Sequence, residues 1–194
     1  MLWLNLLLVL VPAETFQGLF HPKMVTQDQC IGWSVENRLL ACLVGYERSE
    51  EDFERGVAIM EVDGKHRRVR FYSFARRISP WGINAYLDKH KFAAASRVAP
   101  VQGEYRLGSW VLKVETGGTN VRILSREAGQ DQLVEKYSTQ VEQGLSVFVE
   151  GVYYQATLAK AAVLIALESE GCAKGCRSFV QILDVPQSAP ASLP

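Results

Sequence analysis

Short apolar runs rich in β-branched residues, each bounded by a polar turn, set the pattern of this chain. Residues 39–46 and 57–62 read as strands on either side of a polar loop at 47–56, and an alternating run at 67–74 follows the Asp63-Gly64 turn. Residues 110–115 and 120–125 flank Thr116-Gly117-Gly118-Thr119, a two-glycine hairpin signal. Further strands are predicted at 145–149, 152–158, 162–167 and 179–185, while 130–141 fits helix or strand equally. One helix interrupts them. Ser79-Pro80 has the form of an N-cap followed by proline at the first helical position, and Ile83, Leu87, His90 and Ala94 keep helical spacing, which predicts a helix near 80–96. Together these elements predict a mainly β chain of the α+β class, with antiparallel sheet, sandwich or partial-propeller-like hairpins and a single helix.

Two stretches resemble each other. Residues 39–63 and 162–185 each read as an apolar strand, a polar loop and a second strand that closes on aspartate, Asp63 in one and Asp184 in the other.

The N-terminal residues 2–11, LWLNLLLVLV, are apolar apart from Asn5 and lead into Val11-Pro12-Ala13. Such a run is too short for a hydrocarbon core of about 30 Å, which takes roughly 20 helical residues. It fits the apolar core of a secretory signal with Val11 and Ala13 before a cut, although the first basic residue is Lys23, so the positive lead is missing. The expected organisation is a signal segment at 1–13, one β-rich domain at 14–185 and a frayed, proline-rich tail at 186–194. That places the protein in the periplasm or outside the cell, with no transmembrane segment.

Four cysteines, Cys30, Cys42, Cys172 and Cys176, are disulfide candidates, and an even count suits an exported chain. A hairpin turning at Val35-Glu36-Asn37 sets residues whose numbers sum to 72 opposite each other, so Cys30 faces Cys42. Cross-strand neighbours at about 4.5 to 5.5 Å between Cβ atoms are close enough to bridge. Cys172 and Cys176 fall in Gly-Cys-Ala-Lys-Gly-Cys, where two glycines permit a small closed loop. A structural zinc site needs four gathered ligands in closely spaced pairs, and the first pair is twelve residues apart. His21, His66 and His90 each stand without a second ligand at metal spacing, and neither a Gly-x-Ser-x-Gly elbow nor a phosphate loop is present. No metal, cofactor or catalytic residue is therefore nominated.

Charge sharpens one segment. The 21 Lys and Arg balance 21 Asp and Glu, and a net charge of zero argues against a dedicated nucleic-acid or polybasic membrane binder. The zero is a cancellation: residues 47–63 carry seven acids and two arginines, whereas 65–77 hold six Lys and Arg interleaved with three aromatics. On a strand, Arg68, Arg70, Tyr72 and Arg76 share one face with Phe74, and they are the candidate binding residues for an anion or polyanion. Opposite charges on adjacent strands pair, so the acidic hairpin is expected to neutralise much of this face.

The segment Trp33-Ser34-Val35-Glu36-Asn37-Arg38-Leu39-Leu40-Ala41, with the strand that ends at Asp63-Gly64, resembles a blade of the propellers in periplasmic Tol-system translocation proteins. It is also similar to a family of predicted secreted bacterial proteins of unknown function, in which strand, polar loop and strand recur near both ends. The resemblance implies an exported bacterial β-rich domain and supplies no catalytic residue. A closed propeller needs four to eight blades of about 40 residues, and here the helix and the Gly-Gly hairpin break any such period. The expected function is an exported, non-catalytic binding or interaction module whose partner is an unidentified protein or envelope component. One alternative is a hydrolase-type site assembled from scattered groups such as His90, Cys176 or the acidic loop; another is polyanion binding by the strand at 65–77.

Overall fold

The computed structural model describes residue 20 and residues 28–49, 52–63, 68–74, 79–168 and 177–186. The predicted signal segment 1–13, Arg76, Cys172, Cys176 and the tail beyond Pro186 lie outside the described residues.

The apolar runs form antiparallel strands throughout. A first sheet joins β1 (Gln29–Ser34), β2 (Leu39–Ser49), β3 (Asp52–Glu61), β4 (Val69–Ser73) and the two-residue β5 (Ala93–Ala94) in the order β4-β3-β2-β1-β5. The helix α1 (Pro80–Lys89) comes between β4 and β5 along the chain. After β6 (Arg97–Val98), an outer sheet forms from β7 (Glu104–Leu107), β8 (Trp110–Gly117), β9 (Asn120–Glu127) and β10 (Val134–Gln140). A middle sheet then takes β11 (Ser146–Gln155), β12 (Lys160–Glu168) and β13 (Arg177–Asp184), with β6 beside β11.

The layers stack as α1, first sheet, middle sheet, outer sheet. Leu40, Cys42 and Val44 of β2 pack with Ala162 and Leu164 of β12 and Ile182 of β13. The alternate residues Ala41 and Leu43, with Val57 and Ile59 of β3, pack beneath Ile83 and Leu87 of α1. On the far side Ala161, Val163 and Ile165 meet Leu112, Val121 and Ile123 of the outer sheet. Strands β2 and β12 thus have apolar neighbours on both faces, which is why their sequences run apolar without alternation.

The two similar stretches occupy equivalent places. Each is the second and third strand of a meander entered through a four-residue turn, 35–38 or 156–159, closed by a backbone hydrogen bond from Arg38 to Val35 or from Ala159 to Ala156. Both turns end on a residue of positive φ, 53° at Arg38 and 51° at Ala159. The carbonyls of those residues accept from Val62 N–H and Val185 N–H respectively. Each meander also borrows a two-residue edge strand, β5 or β6, from the same connecting segment.

Polar staples close both ends of the interface between these sheets. At one end the ammonium of Lys160, whose side chain is only 8% exposed, contacts Asp63 at 3.1 Å and Asp184 at 2.5 Å, the two aspartates that end the repeated strands. Arg38 also pairs with Asp63, and its guanidinium, followed by Lys160, holds that carboxyl far below the usual carboxylate range. At the other end Arg55 pairs with the buried Asp28. Burial dominates there and raises the Asp28 carboxyl above its ordinary 3.8, against the opposing effects of the Ser178 hydroxyl and Arg55.

Five expectations change in detail, and the first is the polar loop expected at 47–56, which is taken up by strand because β2 runs to Ser49 and β3 starts at Asp52. The helix ends at Lys89 instead of running to 96: Lys91 takes a φ of 53°, Phe92 N–H bonds back to Leu87 O, and Ala93–Ala94 pair with Trp33 and Gly32 as an edge strand. Backbone pairing to β1 outweighs the helical preference of the alanine run. The ambiguous segment 130–141 is strand β10. The strands predicted at 145–149 and 152–158 are one strand, β11, with a register shift between Val149 and Gly151, and Leu158 lies in the following turn. The hairpin register sums to 72 at the Cys30–Cys42 pair and to 73 beyond a bulge at Ile31. That bulge lets Cys30 and Trp33, three residues apart, face the same core.

The Cys30–Cys42 disulfide forms across this hairpin, buried between the first and middle sheets. Among the described residues, no helix is long and apolar enough to cross a membrane.

Candidate ligand groove

Helix α1 covers only part of the first sheet, and the strip of sheet left beside it is the candidate site. The helix is placed by Ser79, which accepts from Trp81 N–H at 3.2 Å with Pro80 at the first helical position. Asn84 fixes it further: its side-chain amide donates to Phe20 O at 2.8 Å and accepts from Phe20 N–H at 3.0 Å, while the Phe20 ring stacks on Phe74. At the other end Asn37 donates to His90 O at 2.9 Å, tying the β1–β2 turn to the helix C-terminus.

Strand β4 forms the opposite wall. Its alternation sends Phe71 toward the core between the sheets, whereas Arg70 and Tyr72, with Arg68 just before the strand, border the groove, and Phe74 packs under the helix. β4 lies close against β3 because Gly56 has no side chain: a Cβ there would sit 2.3 Å from Tyr72 O.

Two cavities adjoin along Ile59 and Tyr86. The polar one, about 210 Å³, has Leu39 and Ile59 on its floor, Arg68, Arg70 and Glu61 on its strand side, and Asn37, Tyr86 and His90 on the other. The apolar one, about 280 Å³, is lined by Val57, Tyr72, Gly82 and Ile83. The Tyr86 ring is tilted against those of His90 and Tyr72, with centroids 4.3 and 5.7 Å away. Burial, then the neighbouring Tyr72, raises the Tyr86 pKa, so this wall is a neutral phenol at physiological pH.

The expected cross-strand neutralisation is absent among the described side chains. Although β3 and β4 pair side by side, no carboxylate among the described residues forms an ion pair with Arg68 or Arg70. Asp63 is drawn instead to Arg38 and Lys160, and Glu61 borders the same cavity beyond salt-bridge distance. Of the candidate residues, Arg68, Arg70 and Tyr72 are brought to one groove, and Arg76 lies outside the described residues.

His90, a candidate for hydrolytic chemistry, borders the cavity, and among the described residues its ring bonds to no carboxylate or thiol; its carbonyl serves Asn37 and Ser34. Tyr86, Gly82 and Ile83 join the groove although no chemical motif in the sequence marks them as ligand residues. Their spacing, with His90 four residues beyond Tyr86, was the available signal. Among the described residues there is no group of three His, Cys, Asp or Glu side chains able to hold a metal ion. No protein-family model, curated protein or solved structure matches the chain.

Proposed function

We propose that the chain is an exported, non-catalytic binding module and that its ligand site is the groove between α1 and β4, with Arg68 and Arg70 receiving an anion. The observation that carries this reading is a pair of exposed guanidinium groups that have no carboxylate partner among the described residues, at a concave, partly apolar site. Arginine presents several N–H donors in a fixed fork, which suits a carboxylate or phosphate oxygen pair. A groove closed on one side by a helix fits a discrete anion better than a long polyanion lying along a flat strand. Export is supported by the disulfide, a bond that persists in oxidising compartments, and by the signal-like residues 2–11.

The test is an acetate titration followed by amide NMR. Saturable shifts are expected at Arg68, Arg70 and His90, and they should vanish in the Arg68→Ala/Arg70→Ala variant. Equal, non-saturating shifts around Arg122 and Arg126 on the outer sheet would overturn the assignment.

A further inference from the structure

The ligand class follows from how the two halves of the groove are joined, and this step rests on the groove being the binding site. Among the described residues the polar half carries two guanidinium groups and one carboxylate, a formal charge of +1 that suits a single negative charge. The apolar half opens directly from it, past Ile59 and the neutral Tyr86 ring, and is walled by Val57, Tyr72 and Ile83. A small inorganic anion would leave this second half unused. We infer that the groove takes an amphipathic monocarboxylate, a molecule with one carboxylate head and a flexible apolar tail. The head lies between Arg68 and Arg70, and the tail runs along the helix toward Gly82.

Three features set the limits of this ligand. Glu61 repels a second negative charge near the head. The tail enters a cavity of about 280 Å³, room for a medium-length chain or a single ring rather than a folded peptide. Gly82 borders this cavity with open space beside it, since a Cβ added there meets no heavy atom within 4 Å, so a larger side chain has room at that end.

Calorimetric titration of the full chain with octanoate, acetate and octanol tests the inference. Octanoate is expected to bind roughly tenfold or more tightly than acetate, because burying two or three methylenes is enough for that factor. It should also bind more tightly than octanol, which lacks the charge. Arg68→Ala/Arg70→Ala should bring octanoate down to the level of octanol. Gly82→Phe fills the tail cavity without weakening the helix, since phenylalanine is the better helix former; it should remove the octanoate advantage and leave the acetate response intact. Glu61→Gln should strengthen octanoate binding. An acetate response with no octanoate advantage would overturn the amphipathic assignment and leave the anion site standing, whereas no response to either would remove both. Weaker octanoate binding in Glu61→Gln, or binding to anionic phospholipid vesicles without binding of monomeric octanoate, would also overturn it.

Discussion

Replacing Cys30 and Cys42 together by alanine is expected to lower the unfolding free energy by about 3 kcal/mol, the loop-entropy value for a bond closing twelve residues. The bond sits where β1 is held to β2 beside a bulge, and both cysteines belong to the core shared by the first and middle sheets. Its loss loosens β1, the strand that carries Trp33 into that core and pairs with β5 after the helix. Urea unfolding of the oxidised chain against the Cys30→Ala/Cys42→Ala variant measures it. An unchanged midpoint would mean that the bond contributes nothing to the fold, and it would remove one support for an oxidising compartment.

Asp28→Ala is expected to cost a similar amount, about 3 kcal/mol, because it leaves the guanidinium of Arg55, with its side chain only 18% exposed, without its carboxylate partner. The cost is that of an uncompensated charge, so Asp28→Leu combined with Arg55→Met should recover most of it. Equal losses in the single and double variants would show that the pair itself, and not the stranded charge, carries the stability. The two staples respond to pH with opposite sign. Asp28, raised above 3.8 by burial, binds its proton more tightly folded than unfolded, so ionising it costs stability as the pH rises. Asp63, depressed by Arg38 and Lys160, contributes stability above 3.8 that is lost as the pH falls through its folded value. Acid sensitivity at the sheet interface therefore originates with Asp63.

How much of this could be read in advance depends on the range of the forces involved. The Cys30–Cys42 pairing was legible because a tight turn fixes cross-strand partners locally, but the bulge at Ile31 was not, since it answers to which face Trp33 must bury. The helix start was written in Ser79-Pro80. Its end was not, because Ala93 and Ala94 have good helical propensity and are captured by an edge of β1 far away in sequence. The arginine face of β4 followed from strand alternation alone. That it would face a groove depended on which side of the first sheet the helix covers and on Asp63 turning to Lys160, a residue 97 positions later. Both are long-range choices that no local pattern records. The similarity of residues 39–63 to 162–185 proved informative because both strand pairs must fill the centre of the same stack.

A crystal structure of the chain with octanoate carrying bromine on its terminal carbon decides whether the groove beside α1 holds an amphipathic anion. An anomalous peak is predicted between Tyr72 and Ile83, near Gly82, with the carboxylate on Arg68 and Arg70. Bromine bound elsewhere with an empty groove, or a reversed molecule with its carboxylate away from both arginines, would contradict the assignment of the groove to an amphipathic anion.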